Sequence, residues 1–246
     1  MWVLAGRELR GLFVQPLGWL LLALCQGVAA WWFLLLVERY QDRLESRVSS
    51  AQSPLGVTDL VLVPYFGGAP LLALLVLLTA ALSLRLVVQD RRQGTLALLL
   101  AAPPGAVALV LGKYLGSLAC AGLALGLWCL MPALLVPLAG ADAGVLAACA
   151  LGLGLTLAGL LAVGMLVSCL SEQPAVVAAV TTALGLVLLM LGRDGDGVLG
   201  ALGLVPRLRG LLSGTVSSAD LAYFGVLIIA PLVLAALRLH EWRGAR

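Results

Sequence analysis

Apolar residues follow one another along this chain in membrane-length runs, and the polar positions gather in the breaks between them. A run of about 20 apolar residues is enough to cross the hydrocarbon of a bilayer. On that rule the pattern predicts spans at 17–37, 64–88, 107–138, 143–170, 174–192 and 221–239. Before the first, Trp2, Val3, Leu9 and Phe13 alternate with Arg7, Glu8 and Arg10, which predicts an interfacial amphipathic helix over 1–13. The apolar run after it is full length and has no small-residue cleavage pattern at its end, so the first span is read as uncleaved.

The breaks differ in kind. After Trp31 and Trp32, which mark an aromatic belt, Glu38, Asp42 and Glu45 interleave with Arg39, Arg43 and Arg47 at helical spacing. A solvated extension of the first helix is expected there. Between spans two and three, Gln89 to Gln93 is too polar for hydrocarbon, where a central Arg or Asp costs roughly 2.5 to 3.5 kcal/mol. Gly94 and Thr95 then offer a break and a helix N-cap, and Leu96 to Ala102 give about two apolar turns before Pro103 and Pro104 stop them. The expected product is a short helical knob at the membrane face, solid enough for another protein to push on.

Spans four and five are joined by a turn of three residues, Ser171 to Gln173, with Glu172 at its tip and Pro174 opening the next helix. From Arg193 to Asp220 the ends are charged and the middle is apolar, rich in glycine and split by Pro206. A re-entrant pair of half-helices over Gly197 to Gly214 is expected, carrying Pro206, Arg207 and Arg209, because broken backbone at membrane depth needs protein or a water-filled cavity to satisfy it. In the third span Gly112, Gly116, Gly122 and Gly126, with Ala119, form a small-residue stripe. It serves either packing inside the bundle or a homodimer seam.

Composition excludes a soluble domain: 62% of residues are hydrophobic and 11% charged, with a mean hydropathy of +1.11, where a soluble domain carries about a quarter charged. The fold class expected is an all-α integral membrane protein of six transmembrane helices, one permease-sized unit over 1–246. Arg7, Arg10, Arg85, Arg91, Arg92, Lys113, Arg238, Arg243 and Arg246 fall on one side of such a bundle. Six arginines and eight of the twelve acids fall on the other. The positive-inside rule then puts both termini in the cytoplasm.

The chemistry the chain lacks is informative too. Five cysteines stand singly in apolar runs and read as buried hydrophobes, and His240 is the only histidine, so no metal site is expected. The spans offer Gln26, Thr79, Ser83, Ser117, Thr156, Ser168, Thr181 and Thr182 as polar groups, of the kind that bond to their own or a neighbouring helix. LGKY, at Leu111 to Tyr114, has the Gly-Lys pair of a phosphate loop without the glycine before it or the hydroxyl after it. Any ATP would be hydrolysed by a partner.

The order charged cluster, GTLALLL, AAP, VLGKYLGSL from Arg85 to Leu118 resembles the signature of type-2 ABC exporter permeases, in particular the gliding-motility (GldF-like) branch. Gly94, Thr95, Leu98, Leu99, Leu100, Pro103, Leu111, Gly112 and Lys113 match that pattern, while Ala97 and Ala101 replace its acidic residue and its threonine. Arg209 to Leu227 is similar to the stretch before the last span in that family, and the resemblance covers nearly the whole chain. It implies an elbow helix at the N-terminus and an ATPase-coupling element built from Arg91, Arg92, Gly94, Thr95, Leu98, Leu99, Pro103 and Lys113, with Glu172 in the turn on the same side. It further implies a cytosolic ABC ATPase in two copies that binds the ATP and Mg, no cofactor on this chain, and a second copy of this permease or a related one. An accessory membrane protein and a place in the bacterial inner membrane also follow from it. The alternative is a mechanotransmitting or scaffold subunit of an ATPase-containing complex, with no translocated substrate. No nucleic-acid partner is expected.

Overall fold

A backbone surrounded by hydrocarbon has no water to bond to, so an apolar run of membrane length closes its own hydrogen bonds as a helix. The computed structural model describes residues 6, 16–47, 56–92, 94, 105–191, 203–215 and 217–244, and every regular element among them is helical. In chain order these are α1 (Pro16–Arg47), a π-helical segment (Thr58–Leu62) that continues into α2 (Val63–Gly67), α3 (Ala69–Ser83), the short α4 (Val88–Arg92) and α5 (Gly105–Ala139). After them come α6 (Ala143–Leu170), α7 (Pro174–Met190), the short α8 (Leu204–Leu212) and α9 (Ser218–Gly244). The expected interfacial helix over 1–13 and the residues Thr95 to Pro104 of the expected knob lie outside the described residues, Gly6 excepted.

Five stretches are long and apolar enough to cross a membrane: Gly18–Asp42, Thr58–Arg92, Val107–Ala139, Ala143–Leu170 and Ser218–Trp242. The sixth apolar helix, α7, has 17 residues, about 25 Å at the usual rise. The protein is a multi-pass, all-helical membrane protein.

The expected solvated extension of the first helix is present, and the start of the second run differs from the expectation. α1 runs unbroken to Arg47, because the charges after Val37 keep helical spacing; Glu38, Arg39 and Asp42 are exposed. The second run starts at Thr58 rather than 64, and it is interrupted at Gly68, whose backbone is extended at ψ 144°. A Cβ there would lie 2.6 Å from the Pro64 carbonyl and 2.8 Å from Trp32 Nε1, so only glycine lets the chain bend past α1 at that point.

α6 is the central helix and touches α3, α5, α7, α8 and α9. Glycines make those approaches close: a Cβ on Gly159 would lie 2.6 Å from Leu227 of α9, and one on Gly185 of α7 would lie 2.9 Å from Val76 of α3. Aromatic residues fix the α1, α2 and α5 contacts. Tyr65 Oη donates to the Trp128 carbonyl at 3.0 Å and its ring stands edge-on to Phe33 at 5.5 Å. On the outside, Leu20, Leu34, Leu130, Leu138, Val226 and Ile229 are all more than half exposed, the apolar surface a bilayer would cover.

The two ends of the bundle are chemically distinct. One end gathers α4, the turn 171–173 and the last turn of α9, since Arg91 touches both Glu172 and Trp242. At the other end the Asp142 N–H donates to Thr58 Oγ1 at 3.1 Å, and Gly140, at φ +68°, closes α5 in the left-handed conformation that glycine adopts freely.

Candidate functional site

The second apolar run does not pass straight into the charged loop. Thr79 Oγ1 donates to the Val76 carbonyl at 2.8 Å and Ser83 Oγ to the Thr79 carbonyl at 2.6 Å, back-bonds that compete with the helix ladder and bend it. α3 stops at Ser83 and the chain turns through Leu84–Val87 before α4 begins. A new helix start exposes backbone N–H groups with no partner of their own. Those of Val87 and Val88 donate to Ser168 Oγ of α6 at 3.0 and 3.1 Å. The joint is therefore a fixed elbow whose buried donors are satisfied by one hydroxyl.

Apolar packing holds the elbow in place. Leu86 and Val87 pack with Leu109 and Val110 of α5, Met165 and Cys169 of α6, and Ala235 and Leu239 of α9, while Val88 packs on Val167 and Val177. α4 thus sits where α5, α6, α7 and α9 meet.

Two of its three charges are taken up by neighbouring elements. Asp90 Oδ2 lies 2.7 Å from Lys113 Nζ of α5, with the lysine side chain 1% exposed. Arg91 is wedged between the turn and the last helix: its Nη1 is 3.6 Å from Glu172 Oε1 and its guanidinium lies 3.6 Å from the centroid of the Trp242 ring. Arg91 Nε is buried without an acceptor among the described residues. Arg92 is exposed, and Gly94 has φ +70°, the left-handed conformation that glycine adopts freely.

Of the residues expected to couple to an ATPase, Arg91 and Glu172 are brought together, Lys113 is held by Asp90 next to Arg91, and Arg92 and Gly94 follow in the chain. Thr95, Leu98, Leu99 and Pro103 lie outside the described residues. Lys113, expected near the start of the third span and in the coupling element, stands inside α5, buried and paired with Asp90. The sequence reading missed Asp90 as its partner, Ser168 as the elbow's acceptor and Trp242 as the cover on Arg91. A signal existed for the first: opposite charges at the facing ends of consecutive apolar runs. None existed for Trp242, which is distant in sequence.

At the other end, α8 carries Pro206, Arg207 and Arg209, and Gly197 lies outside the described residues. Leu204, Leu208 and Leu211 are buried. Arg207 Nη1 meets Asp220 Oδ1 at 3.1 Å, and its guanidinium is 5.9 Å from the Tyr223 ring. Along the α5 stripe, Gly112 and Gly116 are buried but Gly122 and Gly126 face outward, with no atom within 4 Å of an added Cβ. Packing against the described residues is not what that outer pair does. The closest contact falls at Gly164 of α6 instead, where a Cβ would collide with Ser83 Oγ and sit 3.3 Å from Thr181 Cγ2.

These groups do no bond-making chemistry among themselves. They tie one short helix to three neighbours, to α5 through Asp90 and to the 171–173 turn and α9 through Arg91. In comparison with protein families, the model of the ABC-2 family transporter proteins matches residues 2–199. No curated protein matches the chain.

Proposed function

The chain belongs to the ABC-2 family of transporter proteins, and from that premise we propose that it is the permease subunit of a type-2 ABC exporter of the gliding-motility-like branch. ATP and Mg are held by a separate cytosolic ABC ATPase, and this chain catalyses nothing. Six crossings, counting α7, leave both termini in the cytoplasm of a bacterial inner membrane. The Arg91 end faces the ATPase there. Two ATPase copies and a second permease, identical or related, complete the path, with an accessory membrane protein as a further partner.

The family match carries this reading, and the α4 elbow supports it. Pushing works only on a part that is rigid and connected, and α4 is both: its charges bind three other elements and its N–H groups are satisfied by a fourth residue, Ser168. The exposed Arg92 suits a contact with an acidic surface. The coupling element on this reading is Arg91, Arg92, Gly94, Thr95, Leu98, Leu99 and Pro103, backed by Lys113 and Glu172.

The test is ATPase co-purification and turnover in the reconstituted complex, normalised to permease in the membrane. Reversing two charges, Arg91→Glu with Arg92→Glu, weakens docking. Leu98→Pro uncouples more severely, since proline costs about 3 kcal/mol or more inside a helix. Retention of partner and activity by both variants would sink the coupling role and leave the scaffold reading.

A further inference from the structure

At the end of the bundle opposite the elbow, α3, α7 and α8 leave a cavity of about 270 Å³. Its walls are apolar, formed by Leu72, Leu189, Val205, Leu208 and Leu212, and its rim by Ala73, Leu186, Met190 and Arg209. All four rim residues are exposed, so the cavity opens on the outer surface of the bundle. Among the described residues Arg209 is the only charged one lining it. The arginine two positions earlier is engaged with Asp220, whereas Arg209 makes no ion pair among the described residues.

We propose that this cavity holds an acyl chain of an anionic phospholipid from the leaflet at that end, with the lipid phosphate on Arg209. An apolar recess with one convergent charge is the ordinary form of a ligand pocket. A membrane-facing arginine lays its stem along apolar surface and keeps its head at the headgroup level, where a phosphate accepts from its fork in bidentate fashion. A second copy of the chain fits less well: a two-fold contact places the same patch on both subunits and brings Arg209 towards its own like charge. The lipid supplies both complements at once, an apolar tail and a negative head. The site is independent of the ATPase-coupling reading, since it lies at the other end of the helices.

Native mass spectrometry of the full chain released from nanodiscs tests this, with phosphatidylglycerol and phosphatidylcholine of identical acyl chains as probes. The wild type is expected to retain one phosphatidylglycerol per protomer in preference to phosphatidylcholine. Arg209→Gln should lower phosphatidylglycerol retention about fivefold, the worth of one basic residue at a membrane surface, and erase the preference. Ala73→Trp keeps the charge, fills the rim and should reduce retention of both lipids. Arg39→Gln, on the exposed extension of α1, should change neither. Equal retention of the two lipids by the wild type, or an undiminished preference in Arg209→Gln, overturns the proposal. So does an Ala73→Trp variant that binds lipid normally but loses self-association, which makes the second copy the occupant.

Discussion

Lys113 and Asp90 are 23 positions apart, on either side of the charged loop, and their side chains meet at 2.7 Å in a nearly water-free place. Taking two charges out of water is costly, and their attraction offsets that only when the geometry is good. Removing one partner is worse than removing both, because the survivor is left charged and buried. Lys113→Met is therefore expected to destabilise the protein by about 3 to 5 kcal/mol, while Asp90→Leu combined with Lys113→Met recovers most of that loss. Thermal unfolding in detergent checks this; equal stability of the single and double variants would mean that water reaches the pair.

Arg91 serves a different purpose, because Glu172 is largely exposed and an exposed ion pair contributes about 0 to 1 kcal/mol. Stacking on Trp242 contributes about 0.5 to 2 kcal/mol and ties α9 to the elbow. Lysine at position 91 keeps the charge but not the planar stack. Arg91→Lys and Trp242→Ala are expected to lower permease-stimulated ATP turnover in parallel, and the double variant should be no worse than either single one. Glu172→Gln should do less. Additive losses from the two stacking partners in this double-mutant cycle would show that they act separately.

The long apolar helices were readable because length and hydropathy alone decide them, and α6 occupies the expected 143–170 to the residue. The charge of Arg91 and the turn at Glu172 were readable as membrane-face chemistry. Their assembly was not, since the elbow depends on Ser168 and Trp242 meeting residues about 80 and 150 positions away. The pairing of Lys113 was not readable, because a buried, paired lysine and an interfacial one look alike until the partner is known. The α5 stripe left two readings open for a related reason: spacing shows that small residues share a face, but not whether this chain covers it.

Glycine substitutions separate the covered approaches from the uncovered ones. Gly164→Ala would drive a methyl group into Ser83 at the foot of the elbow and should cost about 1 to 3 kcal/mol, as overpacking does. Gly126→Ala adds its methyl to open space, so the monomer should gain up to about 1 kcal/mol from helix propensity. Unfolding is to be compared in dilute detergent, where the protein is monomeric, and again in the reconstituted complex. A loss at Gly126 confined to the complex would place a second subunit on that face.

The last prediction concerns α8. A Cβ on Gly152 would lie 3.0 Å from Leu208, and Gly152 is nine residues beyond the start of α6, about 13 Å along its axis. Cys149, about 9 Å along, donates from Sγ to the Leu212 carbonyl at 3.7 Å. α8 therefore rises from a buried Leu204 to an exposed Ser213 beside α6 rather than lying across its end. If that depth is membrane depth, the segment is re-entrant. In a chain freed of its five native cysteines, Pro206→Cys and Leu208→Cys should react slowly with a membrane-impermeant maleimide, and Arg39→Cys quickly. Detergent should raise the rate at Pro206, which is only half-buried, more than at Leu208, where protein rather than lipid provides the cover. Rapid labelling of both α8 sites in intact membranes would make this an ordinary external loop.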